Sequence, residues 1–150
     1  TMKLSSNFDL AEFVVSQQAT RQGIDNTPSD DVIVALMALC EHILEPLRQA
    51  LGPVRISSGY RNPALNRAIG GAAHSQHCLG EAADLSVIGR ELTEVFNWIY
   101  SNAPFDQVIR EFPPGGWVHV SYSRTENKRI GLLAKTVNGR TVYQSQGLIA

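Results

Sequence analysis

Apolar residues recur at helical spacing through the first third of the chain and at strand-like spacing through much of the rest. The segment N-F-D-L-A-E-F-V-V-S at 7–16 opens on a polar residue able to cap and places Leu10, Phe13 and Val14 together, which predicts a helix. Residues 21–30, R-Q-G-I-D-N-T-P-S-D, are turn-rich. Ser29 or Asp30 then caps a long helix with Val32, Leu36, Leu39, Cys40, Ile43 and Leu47 on one face. Pro46 falls inside that pattern and predicts a kink or an interruption. The helix ends before Gly52-Pro53.

From Val54 the pattern changes. V-R-I-S-S at 54–58 alternates as a short strand, and 59–71 reads as a loop holding one helical turn. A-A-D-L-S-V at 82–87 reads as a strand, and 92–100 as an amphipathic helix with Leu92, Val95, Phe96 and Ile99 inward. Q-V-I-R-E-F and W-V-H-V-S-Y flank P-P-G-G, so 107–122 is predicted to be a hairpin, and 140–143 is one more candidate strand. The expected fold class is α+β: N-terminal helices packed on a small, mostly antiparallel sheet.

Composition fits this picture. The chain has 150 residues, 43% of them hydrophobic and 18% charged, with a formal net charge of −1. That predicts one domain spanning 1–150, with enough apolar material for its own core. The charge balance points to neither nucleic acid nor an anionic membrane as partner, and nothing in the chain argues for more than a monomer. No apolar run approaches the roughly 18 residues of a membrane span. Cys40 and Cys78 are not spaced as a C-x-x-C pair and read as free thiols of a reducing compartment. The N-terminal T-M-K-L-S-S-N-F-D-L lacks a basic segment followed by an apolar one, so no signal peptide is expected, and Thr1 ahead of Met2 reads as a cloning remnant.

The chemistry concentrates in S-Q-H-C-L-G-E-A-A-D-L at 75–85 and W-V-H-V-S at 117–121. His77, Asp84 and His119 supply two imidazoles and a carboxylate, the composition of a three-ligand zinc site with a fourth position left for water. His77 and Asp84 are too far apart for one helical face but suit a loop leading into a strand, with Gly80 allowing the chain to turn back. Asp84 lies among small apolar residues, where a carboxylate is costly without a cation partner. Strand alternation sends Val118 and Val120 to the core and Trp117, His119 and Ser121 to the opposite face. On the facing strand Glu111 joins that face only if the turn has odd length, which would set a carboxylate beside His119 where a general base is needed; an even turn puts it behind the sheet.

The other histidines and Arg61 carry weaker signals. His74 reads as a loop residue at the rim and His42 as a solvated or structural residue of the long helix. Arg61, in S-S-G-Y-R-N-P, could grip a carboxylate with two parallel hydrogen bonds. On the residues alone, pairing with a surface acid is the simpler reading.

The runs S-G-Y-R-N-P-A-L-N at 58–66, G-G-A-A-H-S-Q-H-C-L-G-E-A-A-D-L and W-V-H-V-S together resemble the zinc D-Ala-D-Ala carboxypeptidase family of peptidoglycan peptidases, which includes vancomycin-resistance dipeptidases and phage endolysins. F-D-L-A-E-F at 8–13 and G-I-D-N-T-P at 23–28 are similar to the compact phage and prophage branch, and the resemblance runs from Phe8 to Ser121. It implies one zinc ion on His77, Asp84 and His119, Arg61 orienting substrate and holding developing negative charge, and Ser75 and Trp117 lining the substrate pocket. Several relatives place an acid three residues before the last histidine; here that position is Gly116. Glu111 is the expected base and Asp106 the second choice.

The resemblance implies a metallopeptidase of peptidoglycan stem peptides or cross-links, an endopeptidase or DD-carboxypeptidase of the lysin type. Such a protein is made in the bacterial cytoplasm and reaches the wall after holin release or as part of a virion. Two alternatives stand beside it: a non-catalytic wall-peptide binding module, favoured by Gly116, and a D-Ala-D-Ala dipeptidase.

Overall fold

A short hairpin precedes the first helix: β1 (Lys3–Ser5) pairs antiparallel with β2 (Phe8–Asp9). The coordinates are a computed structural model that describes residues 2–150; Thr1, and with it the cloning-remnant reading, lies outside the described residues. The helix expected over 7–16 is correspondingly shorter, α1 (Leu10–Val14). Tertiary bonds override the local pattern here. The Glu45 carboxylate accepts from the backbone N–H and the side-chain amide of Asn7, both at 2.7 Å, and from Ser5 Oγ at 2.5 Å. That fixes 5–7 as a turn, and Phe8 packs against Phe13 with ring centroids 6.1 Å apart. A second short helix, α2 (Gln17–Gln22), falls in a stretch where no helix was expected.

The long helix begins as expected. Ser29 Oγ accepts from the Val32 N–H, and α3 (Asp30–Leu39) carries Asp30 and Asp31 in its first turn, the favourable sign at a helix N-terminus. The chain then widens into a π-helical turn over Cys40–Leu44 before α4 (Glu45–Leu51). The Glu45 N–H reaches back to the Cys40 carbonyl. This widened turn is how the helix absorbs Pro46, which has no N–H to donate and whose ring crowds the preceding turn.

The remaining elements are β3 (Val54–Ser58), α5 (Pro63–Ala68), a 3-10 turn (Gln76–Leu79), β4 (Ala82–Val87), α6 (Leu92–Asn102), β5 (Gln107–Glu111), β6 (Trp117–Ser121), β7 (Ile130–Val137) and β8 (Arg140–Ser145). Six strands form one sheet in the order β3-β4-β6-β5-β7-β8, antiparallel throughout except for β5–β7. β7 was not expected: I-G-L-L-A-K-T-V lacks clean alternation, and a parallel neighbour gives no hairpin signal.

Strand alternation divides the sheet into two faces. Ala83, Leu85, Val108, Val118 and Val120 are fully buried on one face and join Leu36, Leu39, Ile43, Val95, Phe96 and Ile99 from the helices in a single core. Asp84, His119, Ile109 and Glu111 occupy the other face. No described helix is long and apolar enough to cross a membrane.

Candidate active site

The loops before and after α5 build one side of the site. Gly59 follows β3 so closely against α1 that a Cβ there would lie 2.7 Å from Phe13 Cα. Its carbonyl sits 2.7 Å from His77 Nδ1. A backbone carbonyl can only accept, so Nδ1 carries a proton and Nε2 is the nitrogen turned toward Asp84, the orientation of a metal-binding imidazole. The Tyr60 N–H bonds to the Phe13 carbonyl at 2.7 Å, and the Arg61 N–H to the His77 carbonyl at 3.2 Å. Asn26, from the G-I-D-N-T-P segment, clamps this loop: its amide donates to the Tyr60 carbonyl at 2.9 Å, and its Oδ1 accepts from the Asn62 N–H at 2.9 Å.

His77 rides on the 3-10 turn. Ser75 Oγ accepts from the His77 N–H at 3.2 Å and so caps the turn. Gly80 ends it at φ +73, with the Val32 carbonyl 2.7 Å from where a Cβ would stand. Only glycine meets both conditions, which brings β4 directly back beside His77. β4 and β6 then pair with Asp84 opposite His119.

The three side chains converge. Asp84 Oδ1 lies 3.3 Å from His77 Nε2 and 3.0 Å from His119 Nδ1, and one potential ligand atom from each residue falls within 4.8 Å of the others. His77 is 2% exposed, and the Asp84 and His119 side chains 13% and 12%. Burial pushes the Asp84 carboxyl up, but hydrogen bonds to His119 and His77 and the electrostatic pull of both rings outweigh it and hold the group well below the usual carboxylate range. The carboxylate is thus ionised, as a ligand must be. Two imidazoles and one carboxylate fit zinc, and three protein ligands leave a position open.

The cluster lies in a cleft of about 780 Å³ whose lining includes Arg61, Ser75, Glu111, Trp117, Leu132 and Tyr143. The turn over 112–116 has odd length and pairs Glu111 with Trp117, so Glu111 stands on the face of His119. Its carboxyl is raised, first by burial and then by the charge of Asp84, with His119, Trp117 and Arg61 opposing. The Trp117 indole N–H is among these opposing influences, yet it is buried without a full hydrogen-bond partner. Arg61 is half-buried; burial lowers its pKa, while Asp84, Cys78 and Glu111 favour the charged form, and its Nε also lacks a partner.

Asp106 also lines the cleft, but its oxygens are engaged: Oδ1 accepts from the Lys128 N–H at 2.8 Å and Oδ2 from Gln76 Nε2 at 3.1 Å. His74 is exposed at the cleft rim, and His42 stacks on Tyr122 at 4.7 Å, outside the cleft. Leu132 and Tyr143 were not anticipated as cleft residues. Tyr143 sits in a strand that was expected, but only the pairing through the unforeseen β7 turns it toward the site. Gly59 acts through its backbone carbonyl and Asn26 through a side-chain amide that grips backbone groups; their sequence signals were a glycine and an asparagine in turn-rich segments.

Gly116 has a structural reason. A Cβ at this position would lie 1.7 Å from the Glu111 carbonyl oxygen. The hairpin therefore has no room for an acid there, and the carboxylate beside His119 comes from the opposite strand.

A search of curated proteins finds no match. A family model described as peptidase M15 matches residues 6–121, which span α1 through β6 and every residue of the His77, Asp84 and His119 cluster. The chain belongs to the peptidase M15 family of zinc-dependent metallopeptidases.

Proposed function

We propose that this protein hydrolyses peptide bonds in the stem peptides or cross-links of bacterial peptidoglycan, acting as a phage-type lysin. The observation that carries the reading is the meeting, in one open cleft, of the three-residue cluster with a carboxylate of raised pKa and a half-buried guanidinium. The likeness of 58–66, 75–85 and 117–121 to peptidoglycan peptidases supplies the substrate class.

Zinc held by His77, Asp84 and His119 would supply Lewis acidity and lower the pKa of a water molecule. Glu111 is placed to accept that water's proton and return it to the leaving amine, and its raised pKa brings it nearer to the working pH of a general base. Arg61 orients the substrate and balances negative charge that develops at the carbonyl oxygen. Trp117 lines the same cleft, opposite Glu111 on the neighbouring strand. Ser75 serves the site by capping the turn that carries His77. The reading extends to location: synthesis in the bacterial cytoplasm as a monomer and action at the wall, released by a holin or carried on a virion. The binding-module alternative loses its main argument, because the carboxylate absent at Gly116 is present at Glu111.

The test is digestion of purified, cross-linked peptidoglycan with and without a chelator, with released fragments identified by mass spectrometry. Chelator-sensitive release of peptide fragments is the expected outcome, and the fragment masses identify the bond. A folded, zinc-loaded sample that releases nothing rejects the proposal.

A further inference from the structure

The family match ends at Ser121, but the cleft does not. β7 adds in parallel to the edge of β5, and β8 adds to β7. Their register sets Trp117 opposite Glu111, Glu111 beside Ala134, and Ala134 opposite Tyr143. Residues paired across neighbouring strands share a face, so these four form one row on the cleft side. Ala134 is fully buried and carries only a methyl group, so no large side chain stands between Glu111 and Tyr143 within this row. The neighbouring row runs His119, Ile109 and Leu132. The hairpin thus presents an aliphatic strip along the floor and a phenol at the rim, where Tyr143 is 54% exposed and still lines the cleft.

Resting on the peptidase reading above, we propose that Tyr143 is a substrate-contacting residue and that β7–β8 forms the wall that selects the substrate. The chemistry of that wall fits a neutral peptide residue: its carbonyl accepts from the Tyr143 hydroxyl, and its aliphatic part lies on Leu132 and Ile109. The opposite side of the cleft, at Arg61, is cationic and suits an anionic group, so the two sides fix the direction in which a peptide lies. Burial, and then the charges of Glu111 and Asp84, raise the phenol's pKa, which keeps it a donor.

The experiment compares wild type with Tyr143→Phe, which keeps the ring and removes the hydroxyl. The probe is a soluble cross-linked stem-peptide fragment released from peptidoglycan. Tyr143→Phe is expected to raise KM about tenfold with a smaller change in kcat, as for loss of a hydrogen bond made in the ground state. Zinc content and Tm stay at wild-type values. Val142→Thr, on the other face of β8, leaves both constants unchanged. Binding of the same fragment is also measured on Glu111→Gln with and without Tyr143→Phe, and weakens about tenfold with the second change. Equal KM and equal binding with and without the hydroxyl overturn the proposal, as does absence of binding to either variant. Failure of wild type to cleave the fragment while Glu111→Gln binds it through Tyr143 rejects the peptidase reading alone.

Discussion

The two ends of the six-stranded sheet are built to opposite standards. At the β3–β4–β6 end, one face is sealed against the helices and the other converges on Asp84, His77 and His119, each held by at least one hydrogen bond. At the β7–β8 end, every residue of β8 is exposed, and the outer edge of that strand pairs with nothing among the described residues. The first end must hold ligand atoms to a fixed geometry, which requires locked rotamers and backbone partners. The second needs only to present side chains to a substrate, and tolerates exposure. The family match covers the first end and stops before the second. Effects of substitution should therefore grade across the sheet, from loss of metal, through loss of rate with metal retained, to loss of affinity alone.

The largest effect belongs to the packed end. His119→Ala leaves two ligands in place of three, and zinc measured by mass spectrometry should fall to background together with hydrolysis. His77→Ala should do the same. A His119→Ala protein that binds one zinc per chain with wild-type affinity would remove His119 from the ligand set and break the gradient at its steepest point.

Glu111 lies one strand further out, on β5, and marks the next step. Glu111→Gln should keep its zinc and lose roughly 100- to 10,000-fold in rate, the range for a general base. The pH profile sharpens this. A base works only when deprotonated, so activity is present above its pKa and lost as pH falls through it. Burial, followed by the charge of Asp84, raises the Glu111 carboxyl; a divalent cation bound at Asp84 outweighs that carboxylate's charge and pulls the other way. The acid limb of kcat/KM should report the Glu111 carboxyl, and Glu111→Gln should flatten what remains of it. An unshifted limb in the variant would assign the titration to another group.

The same gradient describes how much could be read from the chain. The clustering of His77, Asp84 and His119 was legible because these residues sit in short motifs with strong local patterns: the turn at Gly80, the alternation of Val118 and Val120, the carboxylate among alanines. The helix over 29–51 was legible for the same reason, and Pro46 correctly marked its irregular turn. The first helix was drawn too long because the contacts of Asn7 and Ser5 with Glu45 lie far apart in sequence. β7 was invisible because its partner β5 runs parallel to it, which leaves no tight turn to mark the pair. Without β7 the strand that carries Tyr143 had no register, so an aromatic residue facing the cleft looked like any other residue of the tail. The side of Glu111 was open for a similar reason: the parity of a turn cannot be read from P-P-G-G, only from the pairing it produces.

Gly116 tests whether that parity matters for function. The Cβ of Gly116→Ala would meet three backbone atoms: the Glu111 carbonyl oxygen at 1.7 Å, the Glu111 carbonyl carbon at 2.8 Å and the Phe112 oxygen at 3.0 Å. Backbone atoms in a paired hairpin cannot step aside singly, so the turn over 112–116 must open and carry the end of β5 with it. The ligands are insulated from this shift, since Asp84 and His119 pair deeper in the sheet and His77 is held by the Gly59 carbonyl. Zinc binding should therefore persist, with a Tm lowered by several degrees. The rate should fall by up to about 100-fold, the order expected when a catalytic group is misplaced by about 1 Å. Gly116→Glu, which writes the relatives' acid into this hairpin, meets the same clash and should not recover the loss. A Gly116→Ala enzyme with wild-type rate would show that the placement of Glu111 is not set by this turn, and the intermediate step of the gradient would have to be assigned to another residue of β5.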